Sequence, residues 1–281
     1  MKNLSSILPA FAVLIMGITL SIWVQSKRND IQSNLKNHEI ALVIENKTIA
    51  IQQQLTISFS SIEILQYLFE KNNQISRKEF QNYTAPIFYG DSSIKAISWV
   101  PRIIHQDRAK YESNISKELK NREFSIIQLN DKNQAVVSEK QTFYFPITYI
   151  EPIAENSKAI GYDIYSNKIR NATINEAISK KTIQITPRIK LIQDPSGYSF
   201  LAIAPVFYPS DSLEKAFKKG TLKGLISAVY KIDKLINDAL AHTKSTNIDL
   251  AIFDVTNNSN ESIYGVKHKL TKNKIFRRDE Y

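Results

Sequence analysis

Ile183–Tyr208 reads IQITPRIKLIQDPSGYSFLAIAPVFY, two apolar arms around Asp194-Pro-Ser-Gly197. β-Branched and aromatic residues fill the arms, and Asp, Pro, Ser and Gly each favour a chain reversal. The stretch predicts an antiparallel hairpin of Ile183–Gln193 with Tyr198–Tyr208. Downstream, a charged loop, Pro209–Gly220, leads to a strand at Leu222–Tyr230. Ile232, Leu235, Ile236, Ala239 and Leu240 then recur at helical spacing, and a strand at Ile248–Val255 ends in a polar turn at Asn257–Asn260.

Upstream, Asn167 is placed to cap a helix from Lys168 to Ser179. Thr142–Ile150 and Phe124–Leu129 read as strands, the first with Phe143, Phe145, Ile147 and Tyr149 on one face. His105–Asn121 is helical, with Tyr111, Ile115 and Leu119 four apart and Arg108 with Glu112 as an i,i+4 pair. Ile94–Val100 is a short strand closed by Pro101. Helices leading into antiparallel strands, twice over, predict an α+β body of two similar lobes.

The chain before that body is different. From Ser26 to Ala85 there is neither Gly nor Pro, and apolar residues recur at Ile31, Leu35, Leu42 and Ile49, then Leu55, Phe59, Ile62, Leu65 and Phe69. Steps of three, four and seven predict one long helix with a single buried stripe. Its 48 or so residues would make a rod of about 70 Å. Only part can pack on the body, so the near half is expected to pair with a copy of itself; the alternative is a helix lying along its own domain. Asn72 and Asn73 break it, and Ser76-Arg-Lys-Glu79 has the pattern of a capping box.

At the start, Ile7–Val24 reads ILPAFAVLIMGITLSIWV, with no charge between Lys2 and Lys27. About 24 such residues span about 36 Å, enough for a hydrocarbon core of about 30 Å. SIWVQSKR offers no small-residue cleavage site, and Trp23 has the position of an interfacial anchor, so an uncleaved membrane anchor is expected.

Composition removes several chemistries. There is no cysteine, which excludes disulfides, thiolate zinc sites and thiol catalysis. The net charge of +10 is spread along the chain, which points to a solvated surface tolerant of anionic lipid and not to nucleic acid. His38, His105, His242 and His268 stand singly, so no metal or other cofactor is expected. Glu151, Glu155 and Asp163 have no spacing that aligns an acid–base pair and read as solvated loop positions; no catalytic residue is assigned. Trp99, Pro101, Arg102, Arg108 and Glu112 read as structural. Tyr149, Tyr162 and Tyr198 read equally as core or as pocket lining with a polar tip.

One ordered series of segments resembles a known family. ISWVPRI at Ile97–Ile103 and DRAKYE at Asp107–Glu112 resemble the opening of CHASE domains, extracytoplasmic sensor modules of bacterial sensor kinases and cyclases and of plant cytokinin receptors. The likeness continues through FYFPITYIEP (Phe143–Pro152), GYDIYSN (Gly161–Asn167), TPRIKLIQ (Thr186–Gln193), LAIAPVFY (Leu201–Tyr208), KGLISAVYKIDKLINDAL (Lys223–Leu240) and IDLAIFDVT (Ile248–Thr256). The resemblance implies two PAS-like lobes on a stalk helix, with a small ligand in the membrane-distal one. It divides the chain into an anchor (1–26), a stalk helix (27–75), a distal lobe (76–208) and a proximal lobe (209–281), the last expected to be cut short. Aligned on Pro187 and Pro205, the ligand positions of the cytokinin-binding members fall on Ile169, Leu191 and Ile203, with Thr186 in the same set. Two isoleucines stand where polar groups would read an adenine, so a different, more apolar ligand is expected.

The expectation is a periplasmic small-ligand sensor on a single inner-membrane helix, dimeric through its stalk and without chemistry of its own. A histidine kinase or diguanylate cyclase is the expected output module. The alternatives are an anchored envelope hydrolase, which needs a convergent catalytic cluster, and a structural tether without a pocket.

Overall fold

The structure is a computed structural model. It describes residues 4–72, 74–120, 123–191, 194–209, 221–243, 250–254 and 261–265; for residues 4–11, 190–191, 194–196, 254 and 261 only the backbone is described. The expected turn at Asn257–Asn260 lies outside these residues. The chain divides into two units, one built on residues 1–50 and a body beginning at Ile51.

A single helix, α1 (Leu4–Lys71), provides the first unit and enters the second. Within the first unit, Val13, Leu14, Met16, Ile18, Leu20, Ile22, Trp23 and Val24 are all more than half exposed, on every side of the helix. Ile31, Leu35, Leu42 and Ile49 follow as an exposed stripe. Among the described residues no helix is long and apolar enough to cross a membrane; Ile7–Phe11, the opening of the expected anchor, have no described side chains.

The body is α+β. Its elements are α2 (Arg77–Gly90), β1 (Ile94–Pro101), β2 (Ile103–Ile104), α3 (Arg108–Glu118), β3 (Ile127–Leu129), β4 (Ala135–Val137), β5 (Phe143–Tyr144) and β6 (Tyr149–Glu151). Then come α4 (Ile153–Asn156), α5 (Lys168–Lys180), β7 (Gln184–Ile185), β8 (Ile189–Leu191), β9 (Asp194–Phe207), β10 (Leu222–Lys231), α6 (Ile232–Leu240), β11 (Ile252–Asp254) and β12 (Glu261–Tyr264). Six strands form one antiparallel sheet in the order β6-β1-β10-β9-β7, with β8 also on β9. Its central strand β10 lies beyond residue 209 in sequence and pairs with β1 and β9 before it, so the sheet takes strands from both sides of the expected lobe boundary.

Alternation of side chains gives this sheet two apolar faces. On one, Ile97, Trp99, Ala202, Ala204, Ile226, Ala228 and Tyr230 meet Phe80 of α2, Leu235 and Ile236 of α6, and the end of α1. On the other, Ala96, Val100, Leu201, Ile203 and Leu225 meet Phe145, Ile147, Ile164, and Ile174 and Ala177 of α5.

The predicted helix caps are present. Ser76 and Glu79 exchange both capping-box bonds, and the Asn167 side chain accepts from the Ile169 and Arg170 amides. Proline accounts for most departures from the expected strands, because it has no N–H for a ladder. Ile183–Gln193 is split into β7 and β8 around Pro187, and Thr142–Ile150 into β5 and β6 around Pro146. Asp194-Pro-Ser-Gly197, the expected turn, lies inside β9: Leu191 pairs with Asp194, and the register slips between that pair and Ile189–Ser199. Pro86 sits inside α2, which continues to Gly90.

Gly224 decides how closely β10 approaches β1. A Cβ there would lie 2.6 Å from the Trp99 ring, 2.7 Å from the Val100 carbonyl oxygen and 2.8 Å from Pro101 Cα. Two of these are backbone atoms that cannot swing away. Gly224→Ala should cost about 1–3 kcal/mol and lower the melting temperature by several degrees, whereas Gly90→Ala, with nothing within 4 Å, should leave it within about a degree. Calorimetry on the two variants checks this.

Candidate functional site

The α5-facing side of the sheet carries one continuous row. Register pairs Ile150 with Ser98, Ser98 with Ser227, and Ser227 with Ile203, so β6, β1, β10 and β9 each contribute one residue. Ile150 and Ile203 belong to the apolar cluster on that face, and alternation puts the two serines between them. Ile203 is 0% exposed, Ser98 3% and Ser227 4%. No side-chain hydrogen bond joins either serine hydroxyl to another described residue. Neither hydroxyl oxygen is fully enclosed, so the pair marks a polar spot that reaches accessible space among aliphatic carbons.

The four residues expected to bind ligand are placed unequally around this row. Ile203 is its apolar end. Thr186 is buried one strand away; its hydroxyl accepts from the Leu201 amide at 3.0 Å, and its own amide donates to the Leu201 carbonyl at 2.9 Å, which clasps the chain after β7 to β9. Leu191 pairs through its backbone with Asp194, and its side chain is outside the described set. Ile169, in the first turn of α5, is 47% exposed. The structure therefore brings Thr186 and Ile203 together and leaves the Ile169 side chain partly in solvent.

Arg170, next to Ile169, was missed by reasoning from the sequence. It is half-buried, with its guanidinium 5.3 Å from the centre of the Tyr162 ring. Burial pushes its pKa down from the ordinary arginine value. The sequence held a signal for it: Arg170, Ile174 and Ala177 are four and three residues apart, so the arginine shares the helical face that packs on the sheet.

A cleft of about 550 Å³ opens elsewhere in the body, where the head of α1 meets the other side of the sheet. Phe69, Trp99, Glu79, Tyr111, Tyr149 and Lys223 are among its walls. Most of its polar groups are already engaged. Glu79 is held by Ser76, whose bonds keep its carboxyl below the usual range. The Tyr111 hydroxyl lies 2.6 Å from that of Thr148, and burial pushes the phenol well up. Lys223 donates to the carbonyls of Phe69 and Asn72 at 2.7 and 2.5 Å, satisfying the end of α1.

The acidic residues do not converge. Glu155 pairs with Lys95, which draws its carboxyl below the usual range. Glu151 accepts from the Ile153 amide at 3.2 Å. Asp163 is not the solvated loop residue expected: it is 0% exposed, and one carboxylate oxygen accepts from the Phe145 amide at 2.9 Å and the Tyr165 amide at 3.1 Å. The turn before it requires Gly161, whose φ is +88° and whose Cβ, if present, would lie 2.4 Å from the Ser125 carbonyl oxygen. Arg108 and Glu112 form the expected pair at 3.0 Å, and they do more: Arg108 donates to the carbonyls of Ser138 and Ile126, and Glu112 accepts from the Ile126 amide. Among the described residues no group of His, Asp and Glu is arranged to hold a metal ion.

The other oxygen of Asp163 is buried without a hydrogen-bond partner, and burial raises its pKa against the pull of the two amides. A carboxyl whose folded pKa exceeds its unfolded value of about 3.9 binds its proton more tightly when folded. It therefore costs no stability below that value and costs more as pH rises through the folded one. The stability of Asp163→Asn relative to the parent should increase between pH 4 and pH 7, as denaturant titrations at the two pH values can measure.

The family model described as CHASE domain matches residues 73–264. The germination-specific adenylate cyclase of Dictyostelium discoideum is 24% identical over 259 residues, 92% of this chain and 29% of that protein. Hybrid signal transduction histidine kinase A of the same organism is 24% identical over 172 residues, 58% of this chain and 8% of that one. This chain thus spans less than a third of either relative. Among solved structures, an extracellular ligand binding receptor from Desulfohalobium retbaense aligns over 80% of this chain and 31% of its own, with a TM-score of 0.48 and 12% identity.

Proposed function

Because the chain belongs to the CHASE domain family, and residues 73–264 are a CHASE sensor domain, we propose that it is the ligand-receiving part of a membrane-anchored signalling receptor. On this reading a small, largely apolar molecule binds on the α5-facing side of the sheet, in a distal PAS-like lobe that takes β10 from beyond residue 208 as its central strand. Ile169, Thr186, Leu191 and Ile203 surround it, and the rest of residues 209–281 belongs to the proximal lobe. The observation that carries the reading is the row Ser98–Ser227–Ile203, where two hydroxyls without a side-chain hydrogen bond to a described residue interrupt an apolar face, as a polar group of a guest would require. The cleft at the head of α1 fits a structural joint better, because its polar groups are largely paired with one another.

Ile7–Val24 would be the membrane anchor, with the body outside the cell membrane. Apolar side chains exposed on every side of α1 from Val13 to Val24 support this, since water would not tolerate such a surface. Ile31, Leu35, Leu42 and Ile49, at heptad spacing and exposed, would be covered by a second copy of the chain. Ligand shifts the helix pair only by binding one arrangement more tightly than the other. The relatives named as a cyclase and a histidine kinase support an output of that kind in the whole protein. An anchored hydrolase is disfavoured by the divergent carboxylates, and a plain tether by the unpaired hydroxyls.

Screening the full chain in nanodiscs against a metabolite library by thermal shift tests the receptor. A saturating ligand at 100 times its Kd stabilises by about 2.7 kcal/mol. Ser227→Val, which removes the hydroxyl, should abolish that shift while the ligand-free protein still unfolds in a single cooperative transition. A library without a saturable binder, or binders indifferent to Ser227→Val, would sink the reading. Separately, Leu35→Lys with Leu42→Lys should convert a dimer to a monomer in light scattering, with the body's melting point preserved.

A further inference from the structure

We propose that His38 makes the pairing of the stalk respond to acid, so that two copies of the chain hold together near neutral pH and loosen as their surroundings acidify. The proposal rests on the pairing through the exposed stripe of α1 argued above, and adds what regulates it.

The stripe is more regular than its apolar members alone show. Ile31, Leu35, His38, Leu42, Glu45 and Ile49 follow one another at steps of four, three, four, three and four. That is the 3.5-residue repeat by which two helices keep one seam in contact. All six residues are exposed on the helix of the first unit. Two copies anchored in one membrane run parallel, which sets each residue of the stripe opposite its own counterpart. Four layers of such a seam are aliphatic and two are titratable. Between Leu35 and Leu42 lies a histidine pair, and between Leu42 and Ile49 a glutamate pair.

Charge decides what each of these layers costs. Two neutral imidazoles fit a seam, with one ring able to donate to the other. Two protonated rings bring like charges together between aliphatic layers, where water screens them poorly. Imidazole is the side chain that changes charge between about pH 5 and pH 8. The separated helices therefore bind protons at this layer more readily than the pair does, and pairing weakens as pH falls. The glutamate layer runs the other way: its carboxylates repel near neutral pH, and protons taken up in acid relieve them. Glu39, beside His38 at the rim of the seam, offsets part of the histidine repulsion, whereas Lys36 and Lys47 fall on the far side of the helix by their spacing. Acid thus acts on the stalk as ligand acts on the body, by favouring one arrangement of the pair over another.

The test uses the full chain in lipid bilayers. The chain has no cysteine, so Ser33→Cys, on the side of the helix away from the stripe, provides a single thiol for donor and acceptor labels. Energy transfer under lipid dilution then gives the dissociation constant of the pair. Between pH 7.5 and pH 5.5 that constant should rise about tenfold or more in the parent relative to its rise in His38→Leu. His38→Lys, charged at both pH values, should pair weakly at both and lose the response. Glu45→Leu should pair more tightly at pH 7.5 and lose more of its pairing in acid. A His38→Leu variant that responds to acid as the parent does overturns the proposal and leaves the pairing standing, as does a His38→Lys variant that pairs as tightly as the parent at pH 7.5. A parent that is monomeric at pH 7.5, or a pair indifferent to Leu35→Lys with Leu42→Lys, sinks the seam and the proposal with it. The body of every variant should melt with the parent's at each pH; a response that tracks a lowered melting temperature belongs to unfolding and also overturns the proposal.

Discussion

The body depends on the burial of the last turns of α1 against the sheet. Ile62, Leu65 and Phe69 are at most 1% exposed, and the Phe69 ring lies 4.5 Å from Trp99 and 6.0 Å edge-on from Phe80. Losing one such aromatic typically costs about 3–5 kcal/mol, a large part of any domain's net stability. Polar contacts fix what the apolar ones hold. The Tyr230 hydroxyl donates to the Ser58 carbonyl at 3.1 Å, Ser58 binds the buried Asp91 carboxylate, and Gln66 donates to the Pro205 carbonyl at 2.7 Å. Within the body, the end of this helix cannot move without disturbing β1, β9 and β10.

That constraint sets the character of the opposite face. A strand alternates sides, so residues that bind α1 fix the identity of the alternate set: Ile97 and Trp99 point one way, Ala96, Ser98 and Val100 the other. The first set is large, aromatic and interlocked, as in Phe59 edge-on to Phe200 and Tyr230. The second set on the central strands is smaller and includes the two serines. The sheet is thus gripped by interlocked aromatics on the α1 side, while the smaller residues and the two serines of its central strands lie away from that joint.

Much of this was legible in the sequence because it rests on short-range rules. The stripe through Phe59, Ile62, Leu65 and Phe69, the capping box at Ser76 and the cap at Asn167 all depend on spacing within a few residues. The apolar run of β10 and the helix after it are likewise local patterns. What could not be read depends on distant partners. Asp163 looked like a loop carboxylate, and only the folded chain delivers the Phe145 amide to it. The Ser98–Ser227 row needs the register of strands 129 positions apart in sequence. Pro146 and Pro187 lie within apolar runs whose alternation alone predicts unbroken strands, and their missing N–H groups divide them. Of the candidate site, Ile203 and Thr186 rest on a resemblance, while the inward face of Arg170 follows from its helical spacing to Ile174 and Ala177.

Two polar populations coexist in this body, and their contrast bears on function more than any single residue does. Around the head of α1 most polar groups close on each other: Lys223 on the helix carbonyls, Glu79 on Ser76, Tyr111 on Thr148. Such a set holds a geometry and asks nothing of a guest. Across the sheet, the Ser98 and Ser227 hydroxyls make no side-chain hydrogen bond to a described residue, and the half-buried Arg170 has the Tyr162 ring as its described partner. The two faces of one sheet thus differ in kind: the α1 side is closed by its own polar bonds, whereas the α5 side sets polar groups with capacity to spare beside an apolar cluster.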